Sequence, residues 1–383
     1  MKNKILISKV SSLFGTSVFN TIVNLWILDI FNSSHTLGVI LSISGISALL
    51  FSLLGGYLAD SNYLKKILLW ADLSSAIFCI ISVFLISSFS KDIIYLVVFL
   101  LNINIALTAP LIKSLVSNVV QKELIISFNS ILAMYSEILK IALPLISTFL
   151  YQFDILTLNG ALIINAISFF ISFLFVKGIQ LNELNSKSKL IGYWDTLKYL
   201  LNRKVLSMLI LTGGISNFFL AGFNLLLPVF ALDKVGNSFY YGVFLSLESI
   251  GALCGALSTK YIIVDKMIIK ERIGIFFSGI LLSSLILFNS KFLLIFICFI
   301  LNFFYVRYNV ALQSFLQTDV NKEYIGKVFS VSYILSNVLL PLGSLFFGYL
   351  LEDFYKLSIG VIAGGLIFIN LLWVVCYKKI VIS

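Results

Sequence analysis

Twelve times along this 383-residue chain an apolar run of about twenty residues recurs, each long enough to carry a helix through the ~30 Å hydrocarbon core of a bilayer. The runs are 10–31, 37–58, 67–88, 93–116, 128–151 and 156–176, then, after a polar interval, 205–232, 240–263, 273–289, 292–312, 325–350 and 357–377. Inside lipid the backbone must satisfy its own hydrogen bonds, which leaves helices or a closed barrel. Unbroken apolar runs with 35 Phe and only 4 Pro give the helical signal and not the weak alternation of barrel strands. Only 11% of the side chains are charged, against roughly 25% in a soluble domain, so a water-soluble fold is excluded. The expectation is an all-α polytopic membrane protein of twelve transmembrane helices. Twelve spans leave short connections and no room for a separate soluble domain. The first run holds Asn20, Asn24 and Trp26 and lacks a small-residue cleavage site, so it reads as a span and not as a signal peptide.

The chemistry-bearing side chains narrow the class further. Cys79, Cys254, Cys298 and Cys376 lie inside apolar runs with no paired spacing, and His35 is the single imidazole. No zinc site, disulfide framework or phosphate-binding loop is indicated, so the chain reads as a non-enzyme without metal or cofactor.

Charge and repetition give the organisation. Cytoplasmic loops hold the Lys and Arg of a membrane protein. With both termini inside, the inner segments carry 21 basic residues, counting Lys113, Lys260 and Lys327 at the inner ends of their runs, and the outer segments four, Lys140 and Arg307 being left deeper within spans. The formal charge of +10 is thus a topology signal, and nucleic acid is not expected as a partner. At an offset of 204, Ser34, Gly38, Val39, Leu41 and Ser42 match Ser238, Gly242, Val243, Leu245 and Ser246; at 200, Lys122-Glu123 and Ser130 match Lys322-Glu323 and Ser330. Two parallel six-helix halves follow, residues 1–177 and 205–383. They are joined by a cytoplasmic linker, 178–204, in which 193–201 reads either as a short interfacial helix anchored by Trp194 or as a plain tether.

Between the second and third spans, Gly55-Gly56-Tyr57-Leu58-Ala59-Asp60 followed by Lys65-Lys66 resembles the inter-helix signature of the major facilitator superfamily. Leu28-Asp29, Ala71-Asp72-Leu73 and Gly326-Lys327-Val328-Phe329-Ser330 are similar to its macrolide-efflux and enterobactin-exporter branch. Ser61, Tyr63 and Leu64 stand where the signature has arginine, glycine and arginine, and of the fifth-span exporter pattern only Pro144 remains. The resemblance implies the major facilitator fold and alternating access. Asp60 would latch the inner side shut, Lys65 and Lys66 would either belong to this gate or serve as positive-inside anchors, and Gly55 and Gly56 would bring the second helix close to a neighbour. It also implies that the first, fourth, seventh and tenth spans line a central cavity.

Those four spans carry Asn20 and Asn24, Asn102 and Asn104, Asn217 and Asn224, and Asn302 and Asn309, with Gln313 a turn further on. Spacings of four and seven put three of the pairs on single helix faces. They read as cavity amides for an amphipathic substrate, with Phe218, Phe219, Phe223 and Tyr305 as stacking surface; the alternative is interhelical hydrogen bonding. Charges buried in a span are costly, so function is expected of the deep ones, Glu137, Lys140 and Glu248. In the family's packing the fifth and eighth spans meet, which would let one cation, Lys140, pair with Glu137 in one state and Glu248 in the other and make one carboxylate take up a proton reversibly; the alternative is a permanent Glu137–Lys140 pair with Glu248 neutral and hydrogen-bonded to a serine. Asp72 and Arg307, nearer the span ends, are expected to snorkel or to form a structural ion pair.

The expectation is a monomeric transporter in the cytoplasmic membrane that exports an amphipathic small molecule such as a drug, macrolide or siderophore in exchange for protons. Uptake or facilitated diffusion of a polar solute, and a non-transporting membrane sensor, are the alternatives.

Overall fold

The computed structural model describes residues 2–58, 61, 63–86, 91–180, 198, 200, 203–259, 264–320 and 325–382. Among these, twelve helices are long and apolar enough to cross a membrane, and there is no strand. The first six are α1 (Lys2–Phe31), α2 (Ser34–Leu58), α3 (Leu64–Leu85), α4 (Lys91–Val119), α5 (Lys122–Gln152) and α6 (Leu158–Lys177). Then follow α7 (Lys204–Val229), α8 (Phe239–Ser258), α9 (Val264–Ser283), α10 (Lys291–Asp319), α11, broken into Ile325–Asn337 and Leu339–Asp353, and α12 (Tyr355–Ile382). The stretch 193–201, expected as an interfacial helix or a tether, lies almost wholly outside the described residues.

Local chemistry explains where the helices stop. Asn32, Asp154 and Asn289 take left-handed φ values of 46°, 55° and 42° at three tight connections, a conformation that the short polar side chains of Asn and Asp tolerate better than others. The α6 N-terminus is capped by Thr157, whose hydroxyl accepts from the Gly160 amide. At its other end Lys4 donates to the Gly178 carbonyl at 2.8 Å and Lys65 to the Ile179 carbonyl at 2.5 Å, cations placed at the negative pole of the helix. Prolines account for two irregularities. Pro228 cannot donate to the turn before it, and α7 runs out into a π-turn, Phe230–Lys234. Pro341 leaves the Asn337 carbonyl without its helical donor, and α11 breaks at Val338.

The helices gather in two compact units. The first comprises Met1–Asn32, Ile43–Lys187 and Gly236–Gly242; the second comprises Ser33–Ser42, Ser188–Val235 and Val243–Ser383. In the first, α1 packs on α6, α5 and α4, and α3 packs on α6 and α4. One apolar cluster joins Ile5, Leu64, Leu68, Leu111, Leu115, Phe128 and Val176. In the second, α10 and α12 pack on α9, and α11 and α12 on α7. The first turn of α2 belongs to this unit because the Glu352 carboxylate accepts from the Ser33 hydroxyl at 2.6 Å and the His35 amide at 2.7 Å, an anion at a helix N-terminus.

Glycines set the closest helix approaches. On α8, a Cβ at Gly251 or Gly255 would collide with the Phe299 or Phe303 carbonyl of α10. On α2, a Cβ at Gly55 would collide with the Leu107 carbonyl and Pro110 of α4, whereas one at Gly56 would meet nothing within 4 Å. Only Gly55 therefore serves the close approach that the sequence assigns to both. Gly55→Ala should cost about 1–3 kcal/mol by overpacking. Gly56→Ala should be neutral or stabilising by up to about 1 kcal/mol, since it relieves a mid-helix glycine. Unfolding midpoints of the two purified variants check this; equal shifts would contradict it.

Candidate functional site

The most connected polar stripe lies on α10. Asn302, Tyr305, Asn309 and Gln313 follow one another at steps of three, four and four residues and so share one face. The Asn302 side-chain amide donates to Glu248 Oε1 of α8 at 3.0 Å and to the Cys298 carbonyl at 3.3 Å. One turn on, the Tyr305 hydroxyl donates to Asn217 Oδ1 of α7 at 2.6 Å, and Asn217 Nδ2 donates to the Ser336 carbonyl of α11 at 2.8 Å. Asn309 is a further hydrogen-bond partner of Tyr305, and Gln313 is exposed. One carboxylate, two amides and a phenol thus tie α8, α10, α7 and α11 together inside the second unit. The bond from Asn302 has a useful property: an amide N–H can donate to a carboxylate, more strongly, and also to the carbonyl oxygen of a protonated acid. Glu248 can change protonation state without losing this partner.

The remaining amides fall into two groups. Asn20 and Asn224 are exposed. Asn24 donates to the Tyr241 hydroxyl at 3.0 Å, and Asn102 donates to Ser44 Oγ at 3.0 Å and to the Val98 carbonyl at 2.9 Å, so both hold helices together. Asn104 is buried against α3, donating to the Ala71 carbonyl and to Ser75 Oγ. The expected stacking surface is mostly packing: Phe223 is fully buried, and Phe218 and Phe219 lie against Phe346 and Phe347.

Charged residues within the spans sit in several different settings. Lys140 and Glu137 pair at 2.7 Å along α5, with side chains 60% and 29% exposed. Arg307 does form a structural ion pair, with Glu271 at 2.7 Å, and Ser258 accepts from the same guanidinium. Asp72 does not snorkel: it is buried and accepts from the Ser172 hydroxyl at 2.6 Å. Glu271 and Arg272, read from the sequence as loop residues, are buried in α9. The Arg272 guanidinium donates to Thr212 at 2.7 Å, Tyr308 at 2.6 Å and Asn370 at 3.2 Å, and lies 4.3 Å from the Tyr308 ring centroid. Hydropathy alone misses this residue. Its one sequence signal is its place 200 residues after Asp72.

Of the expected gate, Asp60 lies outside the described residues. Lys65 is engaged with the end of α6, and Lys66 lies 5.6 Å from the Tyr63 ring centroid.

Among the described residues, twelve membrane-length helices with carboxylates, amides and guanidinium groups held among them define a multi-pass membrane protein. Residues 5–344 match the Major Facilitator Superfamily, and the chain belongs to that family. It is similar to macrolide efflux protein A of Enterococcus faecalis, 25% identical over 325 residues that cover 80% of this chain and 98% of the relative. Macrolide efflux protein A of Streptococcus pyogenes is 24% identical over 305 residues, 75% and 74% of the two chains. Among solved structures, the nucleoside transporter NupG superposes with a TM-score of 0.76 at 16% identity, over 98% of this chain and 99% of that one. A bacterial homologue of the iron transporter ferroportin in an inward-facing state gives 0.75 at 15%, over 97% of each. These two likenesses concern the fold alone.

Proposed function

We propose that this protein exports an amphipathic small molecule of the macrolide kind from the cytoplasm in exchange for protons, by alternating access. The observation that carries the reading is Glu248, an acid within a span whose bond to Asn302 survives a change of protonation and leads into the α10 stripe. Glu137 and Lys140 complete the coupling set, the exposed amides Asn20, Asn224 and Gln313 meet the substrate, and Asp60 acts in the gate. The names of the relatives support a macrolide, and the 21-to-4 division of basic residues supports a cytoplasmic-membrane protein with both termini inside. It works as a monomer.

Amides on the α10 face favour a second reading, uptake or facilitated diffusion of a polar solute. Energised inside-out vesicles offered macrolides, lipophilic cations and siderophores separate the readings. The first expects accumulation that a protonophore abolishes. Movement of polar solutes down their gradients alone would establish the second, and movement of nothing would leave a sensor.

A further inference from the structure

One buried charge on α3 and one on α9 occupy matching places in the internal repeat. Asp72 and Arg272 are each the ninth residue of their helix. Asp72 is met by Ser172 of α6, which in turn bonds Ser8 of α1 at 2.7 Å, while Asn104 of α4 is bonded beside it to Ala71 and Ser75. Arg272 is met by Asn370 of α12, Thr212 of α7 and Tyr308 of α10. The correspondences Ser8 to Thr212, Asn104 to Tyr308 and Ser172 to Asn370 are offset by 204, 204 and 198 residues, close to the 200 that separates Asp72 from Arg272. Each of these two charges is thus hydrogen-bonded by neutral side chains from corresponding helices of its own unit. The charges have opposite sign.

Their chemistry differs in one respect that matters. A guanidinium keeps its charge in any protein, and the groups around Arg272 serve it only as acceptors and aromatic faces. The nest around Asp72 is made of hydroxyls, which donate or accept. With Asp72 ionised, Ser8 donates to Ser172 and Ser172 to the carboxylate. With Asp72 protonated, its O–H donates to Ser172 and the chain runs the other way, with every bond kept. The titratable group facing Asp72 is Lys9 of α1, the residue after Ser8, which interacts electrostatically with Asp72 and with the exposed Lys113 of α4. From α6 comes Ser172; from α4 comes Asn104, whose amide nitrogen is engaged with α3. Lys65 and Lys66 of α3 itself stand nearly two turns away, Lys65 on the Ile179 carbonyl.

We infer that Asp72 is a reversible proton-binding site of the first unit, with Ser172 and Ser8 as its hydroxyl relay, and that Arg272 is its permanently charged counterpart in the second. The inference stands apart from the export reading, because it concerns a different carboxylate and needs no substrate. Infrared difference spectra of the purified protein in lipid nanodiscs, recorded across a pH step with isotope-labelled aspartate, test it. The wild type should show a labelled protonated-carboxyl band that Asp72→Asn loses. Ser172→Ala should shift that band by removing its hydrogen-bond partner, and Glu248→Gln should leave it in place. A labelled carboxyl region that is the same in Asp72→Asn and wild type would mean that Asp72 does not change protonation across the step, and would overturn the inference. If Asp72→Asn fails to fold, Ser172→Ala decides: an unshifted band overturns it equally.

Discussion

Glu248→Gln should abolish concentrative transport while leaving exchange of substrate across an unenergised membrane near the wild-type rate. Glutamine keeps the oxygen that accepts from the Asn302 amide, so the tie between α8 and α10 at 3.0 Å persists and the packing of Gly251 and Gly255 against α10 is undisturbed. What is lost is the proton. The accumulation ratio should fall on the order of tenfold or more, the scale of a coupling free energy of 1–3 kcal/mol, and its dependence on external pH should flatten. Counterflow and pH-gradient-driven uptake measured in the same proteoliposomes check this. Wild-type accumulation with wild-type pH dependence would remove Glu248 from the coupling.

The second large effect is on stability. Glu271 and Arg307 are 1% and 7% exposed and pair at 2.7 Å, with Glu271 Oε2 and Arg307 Nε left without a hydrogen-bond partner among the described residues. Glu271→Ala would leave the buried Arg307 guanidinium without its carboxylate. Breaking a buried pair on one side costs about 3–5 kcal/mol, because the remaining charge is uncompensated. Replacing both partners is far milder, since an apolar pair of similar volume needs no desolvation of charge. Glu271→Ala should therefore lower the thermal midpoint steeply, and Glu271→Ala combined with Arg307→Met should recover most of the loss. Equal midpoints for wild type and Glu271→Ala would show the pair to be energetically idle.

Span number and type were legible because each apolar run exceeds the length that a bilayer requires, and no partner elsewhere in the chain is needed to interpret it. The ends were less so. Glu271 and Arg272 fall outside the apolar run 273–289, yet they sit inside α9 because their partners arrive from far along the chain: Arg307 36 residues on, Asn370 98 residues on. Spacing alone put Asn302, Asn309 and Gln313 on one face. It could not show that Asn302 meets Glu248 or that Asn217 meets Tyr305 and Ser336, since those pairings depend on how α7, α8, α10 and α11 pack. Gly55 and Gly56 make the same point at the scale of one residue. A helix turns 100° between them, so one meets α4 and the other meets nothing, and composition cannot tell which.

An exchange of protons for an amphipathic substrate is measured most directly as proton movement itself. In proteoliposomes with a pH-sensitive dye trapped inside and no imposed pH gradient, a macrolide gradient directed outward should acidify the lumen, and Glu248→Gln should abolish the signal. Macrolide efflux at full rate with no change in lumenal pH would contradict the account.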